Sequence, residues 1–121
     1  MRFSANNEIA LHVADPMAAL PFYRDTLGCK VIHASPECVT LESGALRFYL
    51  LPDPAPNHEP VVPSFDVQDR RAALQELQAN GCTLVPIGPH APGEFYVRDP
   101  FGCLFDVIAR EIQRTAGDDS K

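Results

Sequence analysis

The sequence contains two copies of one pattern, and this duplication limits the folds open to the chain more than any other feature. The first copy reads V-A-D-P-M-A-A-L-P-F-Y-R-D-T-L-G-C-K-V from Val13, and the second reads V-Q-D-R-R-A-A-L-Q-E-L-Q-A-N-G-C-T-L-V from Val67. A single gap aligns the Asp, Ala-Ala-Leu and Gly-Cys segments of the two copies. We infer two copies of one supersecondary unit, and the cleft between such copies is a natural place for a binding site.

Composition indicates one soluble, globular domain. The chain has 121 residues, of which 45% are hydrophobic, which is enough apolar material for a core. Its net charge of -6 and the absence of a Lys/Arg run argue against nucleic acid and anionic membranes as partners, and slightly favour a cationic ligand. No apolar run reaches the roughly 18 to 20 residues of a membrane span, and the N-terminus has no signal-peptide core, so we expect a cytoplasmic protein.

The four cysteines are expected to pack rather than to bind metal or pair. They show no C-x-x-C spacing, and Cys29 and Cys82 occupy the same position in the two copies, directly after a predicted helix. A small buried residue fits that position better than a zinc ligand or a disulfide partner does.

Each copy predicts the element order β-α-β-β-β. In the first copy, alternation predicts a strand from Glu8 to Val13, and Asp15-Pro16 is a typical helix start. The helix should reach about Leu27, although Pro21 removes a backbone hydrogen bond and should distort its turn. Three further strands are predicted at Lys30–Ser35, Cys38–Glu42 and Leu46–Leu51.

The second copy repeats this order after a linker. Four prolines in residues 52–60 exclude regular structure there. We then predict a strand over Val61–Asp66, a helix capped by Asp69, and three strands over Thr83–Gly88, Glu94–Arg98 and Leu104–Ala109. Pro63 would interrupt a central strand ladder, so it should lie at an edge or at a junction between modules. The single domain thus divides into module 1 (about 8–51), the linker (52–60), module 2 (about 61–109) and a loose polar tail (110–121).

Alternation along the strands also predicts which side chains face the cleft, because residues two apart share a face of a sheet. In the first strand, Ile9, Leu11 and Val13 suit the helix side. The opposite face, taken over all strands, mixes the aliphatic residues Leu51, Val62, Leu104 and Ile108 with the polar residues Glu8, His12, Arg47, Tyr49, Ser64, Asp66 and Asp106. A solvated face seldom carries so many large aliphatic side chains, so this mixture favours a ligand pocket or a subunit interface.

Three segments resemble the vicinal oxygen chelate superfamily, which includes glyoxalase I, bleomycin-resistance proteins, fosfomycin-resistance transferases and extradiol dioxygenases. They are A-L-H-V-A-D-P-M-A-A-L-P-F-Y-R-D-T-L-G-C-K-V, V-P-S-F-D-V-Q-D-R-R-A-A-L-Q-E-L-Q-A-N-G-C and F-Y-V-R-D-P-F-G-C-L-F-D-V. The resemblance covers about residues 8–109 and implies an α+β fold in which two βαβββ modules form a glyoxalase-type curled mixed sheet around a cleft. It also implies a homodimer, because two chains of this family often complete the cleft together.

The resemblance bears directly on metal binding. Metal-dependent members draw ligands from the first and last strands of each module, which implies Glu8, Tyr49, Val62 and Asp106 here. Val62 cannot coordinate a metal, and Tyr49 would bind one only with a strongly acidified phenol, so zinc is not expected. His12 lies four residues beyond Glu8, about 13 Å along the strand, too far for both to bind one ion. Glu8 and Asp106 remain an incomplete set for a weakly bound divalent metal such as Mg, Mn, Ni or Fe.

Two functions remain open. The first is metal-free sequestration of a small organic molecule, as in bleomycin-resistance proteins, with contacts from the predicted cleft residues His12, Arg47, Tyr49, Leu51, Ser64 and Asp66. The second is a metal-dependent lyase, isomerase or dioxygenase that uses Glu8 and Asp106 as ligands and His12 or Tyr49 to orient substrate. No residue can be assigned as catalytic from the sequence.

The remaining histidines are expected at the surface. His33, His58 and His90 fall on a strand, the linker and a Pro-rich loop, with no His-x-x-x-His spacing. The loop that begins at His90 is predicted to be a connection, with closure over the cleft as its alternative role.

Overall fold

Eight strands and two short helices form two βαβββ modules within residues 3–110, the part of the chain that this computed structural model describes. Module 1 contains β1 (Ser4–Val13), α1 (Pro16–Pro21), β2 (Lys30–Ser35), β3 (Cys38–Ser43) and β4 (Leu46–Pro52). Module 2 contains β5 (Val61–Val67), α2 (Arg70–Ala79), β6 (Thr83–Pro86), β7 (Phe95–Arg98) and β8 (Leu104–Ala109). The predicted element order is confirmed. Residues 111–121 of the predicted tail lie outside the described residues.

The first helix begins as its sequence predicts, but its α-helical part ends at Pro21, before the predicted end near Leu27. The Asp15 carboxylate caps α1 by accepting hydrogen bonds from the backbone N–H groups of Met17 and Ala18. Pro21 ends the regular helix, and the chain continues as a π-helical turn over Phe22–Thr26. Because proline has no N–H, the i to i−4 pattern is lost at this point, and the wider turn accommodates its ring. The predicted distortion at Pro21 is therefore confirmed.

All eight strands form one mixed, curled sheet in the order β2-β3-β4-β1-β5-β8-β7-β6. The modules meet where β1 pairs antiparallel with β5, and the register of that pair shifts between Ala5 and Ile9. Pro63 lies opposite Ile9, beside this irregularity. Pro63 therefore occupies a module junction, as predicted from its missing N–H.

The two helices cover one face of the sheet and create two separate cores. The first core contains the buried residues Leu20, Cys29, Val39, Leu41 and Leu50. The second contains Val67, Ala73, Cys82, Val97 and Val107. Cys29 and Cys82 are buried at equivalent positions, which agrees with their predicted packing role, whereas Cys38 is half-buried and Cys103 is exposed. No helix within residues 3–110 is long and apolar enough to cross a membrane.

The linker is held against the end of β1 by backbone hydrogen bonds. Asp53 N–H donates to the Val13 carbonyl at 2.7 Å, and His12 N–H donates to the Pro60 carbonyl at 2.8 Å. The Glu59 carboxylate also pairs with the Arg98 guanidinium on β7 at 2.7 Å. Both ends of the linker are thus fixed to the sheet, although the segment itself lacks regular structure over most of its length.

Candidate functional site

The face of the sheet opposite the helices, called the cleft face below, carries a network of charged side chains at one end. Glu8 on β1 uses both carboxylate oxygens: Oε2 accepts from the Tyr49 hydroxyl at 3.0 Å, and Oε1 accepts from Arg110 at 3.2 Å. Arg110 also lies 3.4 Å from the Asp66 carboxylate, which accepts a hydrogen bond from Asn6 at 2.8 Å. We call these five residues the acidic network.

Ser64 and Asp106 connect this network to module 2. Ser64 is paired with Asp106 in the ladder between β5 and β8, and its hydroxyl donates to the Glu8 carbonyl at 3.1 Å. Burial raises the pKa of the Asp106 carboxyl to about 6, against the opposing effect of the hydrogen bond that it accepts from Val107 N–H at 2.8 Å. The buried surroundings of Asp106 therefore disfavour the charged form of its carboxyl group.

The structure places the predicted cleft residues in two groups, one at each end of the cleft face. Tyr49, Ser64 and Asp66 lie with Glu8 and Asp106 in or beside the acidic network. Arg47 lies beside Tyr49 on the same face and also pairs with Glu42 on the neighbouring strand β3. His12, which is paired with Leu51 across β1 and β4, lies at the other end of the face.

A buried apolar cluster separates these two ends. Val62, Tyr96 and Leu104 are its buried members, and Ala10, Val85 and Ile87 pack against them. Ile87 belongs to the segment that joins β6 to β7, so this loop covers part of the cleft face. Ile87 precedes the loop that begins at His90, so closure of that loop over the cleft stays a prediction.

The far end of the cleft face holds a cluster of histidines around His12. The His12 Nε2 lies 2.7 Å from the Tyr96 hydroxyl, and its Nδ1 lies 3.3 Å from Asp53 Oδ2. The rings of His58 and His90 lie 4.6 and 5.5 Å from the His12 ring, measured between centroids. Burial, helped by the neighbouring His58 and His90 and opposed by the attraction of Asp53, lowers the pKa of His12 to about 4.

The residues at the position where the family binds its metal do not fit a metal ion. Val62 is fully buried and offers no donor atom, and both oxygens of Glu8 are already engaged. Burial raises the pKa of Tyr49, which is the opposite of the acidification that a phenolate ligand requires. Within residues 3–110, the one group of three or more His, Cys, Asp or Glu donors with ligand atoms within 4.8 Å of one another is His12, Asp53 and His58.

Sequence reasoning missed several members of the histidine cluster around His12. His58 and His90 were expected at the surface, and His90 is exposed, whereas His58 is half-buried. Both rings nevertheless contact His12, because the linker and the β6–β7 loop return to the end of β1. Asp53 and Tyr96 were not considered as site residues. One signal was present: the linker places an Asp and a His within six residues, between two segments predicted to lie side by side.

The chain belongs to the glyoxalase/bleomycin resistance protein/dioxygenase superfamily, whose family model matches residues 6–107. The resemblance seen in the sequence, to the larger group that contains this family, is thus confirmed. A search of curated proteins gave no significant match.

Solved structures share the fold at low sequence identity. A hypothetical protein from Bacillus halodurans aligns with a TM-score of 0.61 and 19% identity, over 93% of this chain and 98% of that chain. A superfamily member from Vibrio splendidus gives 0.57 and 23%, over 88% and 96%. A variant methylmalonyl-CoA epimerase from Streptomyces coelicolor, in complex with 2-nitronate-propionyl-CoA, gives 0.60 and 20%, over 88% and 97%. These alignments establish the glyoxalase-type fold.

Proposed function

We propose that the protein binds a small organic molecule on the cleft face, without a metal ion at the position that the family's metal-dependent members use. This proposal rests on the contacts of Glu8 and on the burial of Val62. Glu8 is held by Tyr49 and Arg110 through both oxygens, and Val62 fills the third ligand position with a buried aliphatic side chain. An ion at this position would have to displace two hydrogen-bonded contacts and would still lack ligands.

The acidic network supports a ligand that carries hydrogen-bond donors or positive charge. Glu8 and Asp66 of the network and the neighbouring Asp106 contribute three carboxylates, and Arg110 pairs with the first two of them. The Arg110 side chain is 43% exposed, so it can turn toward solvent and release both carboxylates to a cationic group. The net charge of -6 favours the approach of such a ligand at low salt.

Binding is tested by NMR, since the chain has no tryptophan for fluorescence. We would titrate ¹⁵N-labelled protein with a panel of small organic amines and amidines that differ in the size of their apolar part. We expect the amide signals of Glu8, Ser64 and Asp106 to shift together, and Glu8→Gln to weaken binding. The matched control is Glu37→Gln, at an exposed glutamate in the turn between β2 and β3, and it should leave affinity unchanged. Shifts confined to residues outside the cleft face would overturn the proposal.

The alternative is a metal-dependent lyase, isomerase or dioxygenase with Glu8 and Asp106 as ligands. Elemental mass spectrometry distinguishes the two functions, on protein purified without chelator and then incubated with Mn²⁺ or Ni²⁺. Near-stoichiometric metal that is lost in Glu8→Gln and in Asp106→Asn supports the enzyme. Metal content that neither substitution changes supports the metal-free cleft.

The same proposal includes a homodimer in a cytoplasmic setting. Chains of this family often complete the cleft in pairs, and Phe22, Leu27 and Phe101 are large apolar side chains that lie more than half exposed on this chain. The four free thiols suit a reducing compartment. Light scattering coupled to gel filtration tests the dimer, and a monomer mass at micromolar concentration would refute it.

A further inference from the structure

We propose that His12, Asp53 and His58 bind one divalent transition-metal ion of the zinc type, with His90 completing the coordination shell. This site goes beyond the proposed ligand-binding function and lies away from the family's metal position. His12 and Glu8 are four residues apart on β1, which corresponds to about 13 Å along the strand. The ligand atoms of His12, Asp53 and His58 lie within 4.8 Å of one another.

Two buried atoms in this cluster lack a hydrogen-bond partner. His12 Nδ1 and Asp53 Oδ2 make no hydrogen bond within the described part of the chain, although they lie 3.3 Å apart and their side chains are 0% and 2% exposed. Leaving such atoms unpaired in the interior is costly. Two ligand atoms at about 2.1 Å from one tetrahedral zinc ion are separated by about 3.4 Å, so the observed spacing fits a shared ion.

A cation suits this pair in one of the two neutral tautomers of His12. When Nε2 carries the proton, it donates to the Tyr96 oxygen at 2.7 Å, and the lone pair of Nδ1 then faces the Asp53 carboxylate. Two acceptors then face each other with no proton between them. A metal ion placed between them accepts both lone pairs, and Tyr96 fixes the ring orientation in the way that outer hydrogen bonds orient metal-binding histidines.

His58 has to give up one of two carbonyl contacts to bind the ion. Its Nδ1 lies 2.7 Å from the Glu59 carbonyl and its Nε2 lies 2.6 Å from the Ile87 carbonyl. A neutral imidazole has one N–H and can donate to one of these oxygens, so the other nitrogen turns its lone pair toward a carbonyl oxygen. A small rotation of the ring directs that lone pair to the ion and removes the unfavourable contact.

The backbone prepares the site before any ion binds. The hydrogen bonds from Asp53 N–H to Val13 and from His12 N–H to Pro60 fix both ends of the linker beside His12. Gly88 passes so close that a Cβ there would lie 3.1 Å from Asp53 Oδ2 and 3.1 Å from His90 Nδ1. The glycine therefore leaves room for His90 to approach Asp53 as a fourth ligand.

The donor set defines the class of ion. Two or three imidazoles and one carboxylate suit Zn²⁺, Co²⁺ or Ni²⁺ better than Mg²⁺ or Ca²⁺, which prefer oxygen ligands. The ligands come from β1, the linker and the β6–β7 loop, so the ion would fasten both modules together. Burial of His12 and Asp53 indicates a closed, structural site.

Metal titration of the chelator-stripped full chain tests the site. We expect calorimetry to show one equivalent of Zn²⁺, and Co²⁺ to give the intense visible absorption of tetrahedral coordination. His58→Gln and Asp53→Asn should each weaken binding by at least about 10-fold. His33→Gln is the matched control, because His33 is an exposed histidine on β2, and it should bind as the unmodified chain does.

Histidine NMR gives a readout of each ring and does not depend on whether a buried variant folds. Zn²⁺ should shift the ring signals of His12 and His58 and leave those of His33 in place. If circular dichroism shows that Asp53→Asn is unfolded, His58→Gln decides the question, since His58 is only half-buried. The proposal is overturned if neither Zn²⁺ nor Co²⁺ binds, if His58→Gln binds as tightly as the unmodified chain, or if the ion is lost in Glu8→Gln instead.

Discussion

Replacing Asp106 by Asn should stabilise the protein at neutral pH, because burial opposes the charge of this carboxylate. Its pKa is raised from an ordinary 3.8 to about 6. The difference of about two pKa units, at about 1.4 kcal/mol each, corresponds to about 3 kcal/mol. Allowing for the partial exposure of Asp106, we expect the free energy of unfolding at pH 7 to rise by about 2 to 3 kcal/mol, or about 10 °C in the unfolding midpoint.

The pH dependence fixes the sign of this effect. Because the folded state holds the Asp106 proton more tightly than the unfolded state does, this group makes the free energy of unfolding fall as pH rises from about 4 to 6. Asn cannot ionise, so the free energy of unfolding of the variant does not show this decrease with pH. The advantage of Asp106→Asn should be full at pH 7 and should vanish at pH values below 3.8.

The measurement is urea unfolding of both proteins at several pH values, followed by circular dichroism. Asp25→Asn is the control, since Asp25 is an exposed carboxylate whose pKa is lowered by its hydrogen bond to Arg24. It should produce no comparable stabilisation. An Asp106→Asn variant that is less stable at pH 7, or whose advantage persists unchanged at low pH, would refute the reasoning. Asn keeps the oxygen that accepts from Val107 N–H, so loss of that bond cannot explain either result.

Three further substitutions test the packing, the capping and the loop. Leu50→Ala, at a fully buried core position, should lower the free energy of unfolding measured with urea by about 2 to 5 kcal/mol. Leu46→Ala, at a position that is 41% exposed, should change it little, and equal losses would contradict the core assignment. Asp69→Ala should cost about 1 kcal/mol in the same assay through loss of the α2 cap, and an unchanged midpoint would show that the cap is dispensable. Gly88→Ala should weaken Zn²⁺ binding in calorimetry, because its Cβ meets Asp53 Oδ2 at 3.1 Å, and unchanged affinity would show that the loop yields.

Local patterns in the sequence determined where the elements of each module lie and which side chains share a face of a strand. The duplicated Asp and Gly-Cys positions mark where each helix begins and ends, and Pro21 marks the distortion within the first one. The alternation in β1 and β4 placed Glu8 and Tyr49 on one face, where the structure joins them by a hydrogen bond. Such features are set by residues a few positions apart, so they can be read without knowing how distant segments meet.

Tertiary structure alone decided which distant side chains meet at the two ends of the cleft face. The Pro-rich linker has no periodicity, so its sequence does not reveal that Asp53 and His58 return to His12. The alternation in β4 placed Arg47 on the face of Tyr49, but only the pairing of β3 with β4 gives it Glu42 as a partner. These contacts depend on the path of the connections and on the register between strands. A sequence pattern fixes the face on which a residue lies, whereas the packing of the modules fixes its neighbours.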